Sequence, residues 1–157
     1  YFILKIIIQR IMSEFSIISN DFKEGEEIPR ECGYKHGNEK PELDFLGGQN
    51  DPMPFAIIMD DPDAMKVVGK VWVHWLLYGN TGDEGVDLTV GTEGKNDFGE
   101  IGYGGPAPPD GRHTYIFKAY ELDTDLDLKE GYSKQELEDA MKGHIIAEAK
   151  LTGTFTP

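Results

Sequence analysis

Four residues define the chemistry open to this chain. Asp61 and Asp63 flank a proline in Asp61-Pro62-Asp63, His74 lies inside an apolar run, and His113 opens another. Carboxylates and imidazoles can move protons, orient a donor, or hold an oxyanion or a metal. Each residue also has an ordinary reading. Asp favours turns and Pro62 fixes its own backbone, His74 alone fits a satisfied core histidine, and His113 alone fits a strand edge. Together they supply ring donors and the acidic groups that orient them, which is enough to build a small oxyanion site without Arg or Lys.

Several familiar machines are missing. There is no G-x-S-x-G, and Ser13, Ser16, Ser19 and Ser133 stand in no catalytic context. No H-E-x-x-H, paired C-x-x-C or phosphate-binding G-x-x-x-x-G-K-[ST] occurs. Gly102-Tyr103-Gly104-Gly105 follows no strong strand and opens no helix, so it is not a dinucleotide fingerprint. Cys32, the single cysteine, has His36 four residues on. Nothing in the sequence activates it, and an ordinary thiol beside a glycine turn is expected. A lone cysteine forms no internal disulfide, which fits a reducing compartment and a cytoplasmic location.

The elements that would carry these residues are strands. Phe55 to Met59 is a continuous apolar run ended by Asp60-Asp61-Pro62-Asp63, a buried strand leading into a turn. Val71 to Tyr78 is dense in β-branched and aromatic residues. Strict alternation there places Trp72, His74 and Leu76 on one face and Val73, Trp75 and Leu77 on the other. His113 to Leu122 is a third strand, with Tyr115, Phe117, Ala119 and Glu121 sharing a face. Ser133 and Glu136 have the spacing of a capping box, Leu137, Ala140 and Met141 recur at helical spacing, and Gly143 supplies a stop. Ala147, Ala149, Leu151, Gly153 and Phe155 then alternate with polar residues as a half-exposed last strand. Residues 23–51 and 79–112 read as connections, the first with at most short strands. The core is expected at 55–59, 71–77, 115–119 and 147–151, with Trp75 inside it.

With 157 residues the chain fits one domain. Its 19 Gly and 9 Pro favour a turn-rich β architecture over a helical bundle. The formal net charge of -14, with no legible basic patch, points away from nucleic acid and from stable membrane association. Residues 1–12 are apolar apart from Lys5 and Arg10, and are shorter than the ~20 residues a membrane span needs. They lack a basic leader and a small-residue cleavage site. Met12-Ser13-Glu14 reads as a natural start, so residues 1–12 are expected to lie outside a domain of residues 13–157.

Larger patterns then become recognisable. Asp61-Pro62-Asp63-Ala64, Val73-His74-Trp75, the block Gly104-Gly105-Pro106-Ala107-Pro108-Pro109 and His113-Thr114-Tyr115 occur in the order and spacing of the phosphatidylethanolamine-binding protein family. Lys95-Asn96-Asp97-Phe98-Gly99 and the ending from Gly143 to Ala149 resemble its prokaryotic, Raf-kinase-inhibitor-like branch. The resemblance covers roughly residues 13–156. It implies a mostly β fold, with a large antiparallel sheet, a smaller flanking sheet and few helices. It also implies a pocket for phosphate, an acetate-like anion or a phosphoethanolamine headgroup, lined by Asp61, Asp63, His74, Ala107, Pro108, His113 and Tyr115. In that arrangement His74 and His113 donate to the anion and Asp61 fixes a histidine's tautomer or charge. Three departures stand out: Met65 replaces a proline, Thr114 replaces an arginine, and Lys40-Pro41-Glu42-Leu43-Asp44-Phe45 replaces an apolar S-P-x-L-x-W.

Three functions remain open on these grounds. The first is an anion- or headgroup-binding module that could modulate a kinase or another signalling partner, as a monomer or a homodimer. The second is a hydrolase of a phosphoester or ester, with a histidine as general base and an activated water for want of a nucleophile. The third is a metal site made from the histidines and the Asp pair. The expectation is the binding module, with no catalytic residue, no cofactor and no metal.

Overall fold

Strand-forming runs on either side of the histidines become the middle of one sheet. The computed structural model describes residues 2–4, 14–82 and 91–157, so the reading of residues 1–12 falls almost wholly outside the described residues. In chain order the strands are β1 (Ser16–Ile18), β2 (Asp44–Leu46), β3 (Pro54–Asp61), β4 (Trp72–Asn80), β5 (Thr92–Glu93), β6 (His113–Leu122) and β7 (Ile145–Phe155). From residue 14 on, the helices among the described residues are α1 (Met65–Val68) and α2 (Lys134–Met141). Single 3-10 turns lie at Arg30–Cys32 and Pro62–Ala64. The main sheet runs β5-β4-β3-β6-β7, antiparallel throughout, and β1 pairs with β2 in a small flanking sheet. β2 is one of the short strands allowed within residues 23–51, and β5 is a short strand inside the connection of residues 79–112.

β3 lies at the centre and is covered on both faces, which explains its unbroken apolar run. Phe55, Ile57 and Met59 enter one layer with Trp75, Leu77, Tyr115, Phe117 and Phe155. Ala56 and Ile58 enter the other with Leu76, Tyr78, Leu137 and Met141. The flanking sheet closes the first layer through Phe45, whose ring lies 5.3 Å from Phe15 and 5.1 Å from Phe55. Helix α2 closes the second. Ser133 accepts from the Glu136 backbone while Glu136 reaches back to the Ser133 N–H, the reciprocal cap its spacing announced. On β6, Tyr115, Phe117, Ala119 and Glu121 are buried and the alternate residues half-buried, as the period of two requires. Glu121 is a carboxylate inside this wall, held by the backbone N–H groups of Gln49 and Asn50.

β4 departs from strict alternation, and the departure matters for the site. Met59 pairs with Trp75 and Asp60 pairs with Val73, so His74 is an extra residue with no partner across the ladder. This β-bulge flips the phase of the strand. Val73 therefore packs with Leu76 and Tyr78, while Trp75 and Leu77 face the opposite layer. The expected grouping of Val73 with Trp75 is corrected accordingly. The bulge also turns His74 to the same layer as Trp75, where its ring meets Tyr115 edge-on at 5.1 Å. An unbroken strand would have sent His74 to the side of Leu76. The bulged backbone is satisfied from outside the sheet. Val73 N–H donates to Asp97 Oδ2, Val73 C=O accepts from Asp97 N–H, and His74 C=O accepts from Gly104 N–H.

Candidate functional site

The turn after β3 explains the Asp-Pro-Asp sequence. Asp61 caps the 3-10 turn, its Oδ1 accepting from Asp63 N–H at 2.9 Å, with Pro62 in the first position where no N–H is needed. Asp63 Oδ2 accepts from Thr114 N–H at 2.8 Å, tying the turn to the start of β6. The second oxygen of Asp61 is then directed at His113, accepting from Nδ1–H at 2.7 Å. On the far side of the ring, His113 Nε2 contacts Asp110 Oδ1, also at 2.7 Å. Two carboxylate acceptors call for two N–H donors, so His113 is an imidazolium in this arrangement. Burial by itself would lower its pKa, but the hydrogen bonds and charges of Asp61 and Asp110 outweigh it and raise the pKa.

His74 has the opposite environment. It is 3% exposed and its Nδ1 donates to Gly104 C=O at 2.6 Å, which fixes the tautomer. Burial lowers its pKa more than the Gly104 carbonyl and the Asp61 charge raise it, so the ring is neutral. Its Nε2 is then the ring nitrogen left for the cavity, an acceptor until a proton arrives. The Gly/Pro block supplies this wall because it can approach so closely. A Cβ on Gly105 would lie 1.9 Å from Cys32 C=O, and one on Gly104 would lie 2.5 Å from the Phe98 ring. Cys32 itself is buried, and burial first, then nearby carboxylates, pushes its thiol up to about 12. It is an inert structural thiol.

Around these groups lies a cavity of about 190 Å³. Asp61, His74, Ala107, His113 and Tyr115 line it, as do Ala64, Val67, Val68, Trp72, Phe98 and Pro109. It is smaller than the ~300–1,000 Å³ typical for drug-sized ligands. The wall is mostly apolar, and two of its polar groups are unpaired. Among the described residues, the buried side-chain polar atoms lacking a hydrogen-bond partner are Asp60 Oδ1, Trp72 Nε1 and Tyr115 Oη. Two of those three are carried by residues that line this cavity, Trp72 and Tyr115. Burial, followed by the Asp61 charge, raises the Tyr115 pKa, although the nearby Ala107 amide acts the other way, so Tyr115 keeps its proton.

The structure brings Asp61, His74, Ala107, His113 and Tyr115 to one cavity. Asp63 and Pro108 lie outside its lining. The Asp63 carboxylate is occupied by Thr114, and Pro108 lines a neighbouring hollow with Lys35, His36 and Phe155. Sequence reading missed Trp72, Phe98, Val67, Val68 and Asp110. Phe98 had a signal, since Asn96 two residues earlier folds a tight turn: its Oδ1 accepts from the N–H of Phe98 and Glu100. That turn lays the Phe98 ring 5.5 Å from Trp72 and 5.6 Å from His74. Among the described residues no three His, Cys, Asp or Glu side chains are grouped as a metal would require, and no helix is long and apolar enough to cross a membrane.

Comparison with known proteins fits this geometry. The family model described as phosphatidylethanolamine-binding protein matches residues 18–156. A UPF0098 protein of Methanothermobacter thermautotrophicus is 38% identical over 144 residues, covering 85% of this chain and 93% of the relative. A UPF0098 protein of Chlamydia trachomatis is 37% identical, covering 88% and 97%. Among solved structures, a putative phosphatidylethanolamine-binding protein homologue from Chlamydia trachomatis superposes with TM-score 0.83 at 34% identity, covering 91% of this chain and 97% of that one. Escherichia coli YbcL, described as a member of the mammalian PEBP family, gives TM-score 0.76 at 28% identity, covering 90% and 98%. Shared sequence across nearly the whole length, and the same mostly β architecture, make this chain a member of the phosphatidylethanolamine-binding protein family.

Proposed function

We propose that the cavity between His74 and His113 binds a small anion, either phosphate or the phosphate of a headgroup such as phosphoethanolamine. The observation that carries this reading is the pair of orphaned donors. Tyr115 O–H and Trp72 N–H are buried donors with no acceptor in a largely apolar wall, the Ala107 amide near the Tyr115 oxygen being itself a donor, and a donor left without an acceptor costs about 1–3 kcal/mol. A multi-oxygen anion supplies acceptors for both. The cationic His113 ring favours negative charge. Neutral His74 accepts a proton at Nε2, either from a protonated phosphate oxygen or from solvent. Binding from a dianion therefore takes up about one proton, and affinity rises as pH falls from about 8 toward 6.

Calorimetric titration of phosphate and phosphoethanolamine tests this. Tyr115→Phe, which removes only the orphaned hydroxyl, is expected to weaken binding by about 1.5–3 kcal/mol, the scale of a hydrogen bond to a charged group. His74→Ala should act similarly and should flatten the pH dependence. Folded variants that bind as well as wild type would place the ligand elsewhere. His113→Ala is a poorer probe, because it strands the buried Asp61 carboxylate.

Hydrolysis is the second reading, favoured by the neutral His74 ring with Nε2 free to act as a base. Turnover of a phosphoester panel, lost in His74→Ala, would promote it. Modulation of a kinase or other signalling protein would require the occupied pocket to be presented to a partner, and it rests on the family resemblance alone.

A further inference from the structure

His113 is held by two carboxylates at the same distance, 2.7 Å, and the two contacts are not equivalent. The Asp61 side chain is 5% exposed and its other oxygen is locked by Asp63 N–H. It cannot leave without stranding a buried charge. The Asp110 side chain is 55% exposed, in the turn Pro109-Asp110-Gly111 beside the cavity wall. An exposed carboxylate exchanges an imidazolium contact for water at little cost. One N–H of His113 is thus permanently engaged, and the other is covered by a group that can move away. The covering group has the chemistry of an incoming anionic oxygen: a carboxylate accepting a charge-assisted hydrogen bond.

We propose that Asp110 is an internal competitor for the pocket: its carboxylate occupies the His113 Nε2–H that a bound anion needs, and it swings to solvent when the anion enters. The inference rests on the anion-binding reading and adds to it a residue that sets the affinity. A ligand must offer more than a single carboxylate contact, because that contact is already made. Phosphate has four oxygens to share among His113, Tyr115 and Trp72, whereas acetate has two. Affinity for either is reduced by the fraction of molecules in which Asp110 is docked. Asp110 therefore lowers both affinities by one common factor, and the weaker, single-carboxylate ligands are the first to fall below useful occupancy.

The experiment is a calorimetric titration of inorganic phosphate and of acetate into wild type, Asp110→Ala and Asp110→Asn, with a crystal structure of the wild-type phosphate complex. Asp110→Ala should bind phosphate about three- to tenfold more tightly, the gain expected if Asp110 is docked in most or nearly all free molecules. Acetate should gain by the same factor. In the wild-type complex a phosphate oxygen should stand at His113 Nε2, with Asp110 turned away. Wild type that binds phosphate no more weakly than Asp110→Ala, or a complex with Asp110 still on His113, overturns the competitor role and leaves the anion site standing. Failure of wild type and both variants to bind phosphate overturns both readings.

Discussion

His74 and His113 line one cavity yet are driven to opposite charge states, and stability should record the difference. The His113 pKa is raised by its two carboxylates against the effect of burial. Its contribution is fully present below the unfolded value of ~6.5 and is lost as pH rises through the raised folded value. The His74 pKa is lowered, chiefly by burial. Below about pH 6.5 the unfolded chain takes up a proton at His74 that the folded chain refuses, so this ring weakens the fold on acidification. Urea unfolding at about pH 6 and pH 8.5 should therefore separate them. Relative to wild type, His113→Gln should lose more stability at the lower pH, and His74→Gln should be the less acid-sensitive protein. Tyr115→Phe belongs at the same scale. Since the buried hydroxyl has no acceptor and meets only the Ala107 amide, its removal should leave the melting temperature unchanged or raise it, equivalent to about 0–2 kcal/mol, while binding falls. A lower melting temperature would mean that the hydroxyl has a partner in the free protein.

At the level of elements, the site depends on two irregularities. One is the bulge at His74, and the other is the Gly/Pro segment whose Gly104 carbonyl fixes the His74 tautomer. Gly105→Ala should be disproportionately damaging, because the new Cβ would meet a backbone carbonyl, Cys32 C=O at 1.9 Å, and not a side chain able to rotate away. Loss of about 1–3 kcal/mol or more, with loss of ligand binding, is expected on chemical denaturation. A variant as stable as wild type would show that the segment can shift without consequence. Trp75, fully buried and donating from Nε1 to Glu93 Oε2 at 2.7 Å, anchors the regular part of β4. Trp75→Ala should destabilise by about 3–5 kcal/mol in the same measurement.

Across the whole molecule, acidity sets how the pocket meets its surroundings. The chain carries 29 Asp and Glu against 15 Lys and Arg, so an anion reaches the site through focused donors and against a repulsive field. Residues 13–157 should not co-sediment with anionic vesicles, least of all at low ionic strength where screening is weakest. Sedimentation that strengthens as salt is removed would reveal a basic contact surface.

Much of this protein was legible in the order of its residues. Continuous apolar runs mark the doubly covered β3, alternation assigns the faces of β6 and β7, and Ser133 with Glu136 marks the start of α2, because each signal is local and has a fixed period. Asp61, Asp63, His74 and His113 were recognisable as a set from type and placement, and Tyr115 joined them only through the family resemblance. Their roles were not. The phase of β4 depends on one unpaired residue, and a bulge has no period to read. The protonation of the two histidines depends on which neighbours the fold delivers: a carbonyl from Gly104 for one, and carboxylates from Asp61 and Asp110 for the other. Asp110 in sequence is one more acidic turn residue. Only the tertiary structure places it on His113, because charge state and hydrogen-bond partner are properties of distance and burial, and neither is encoded at a single position.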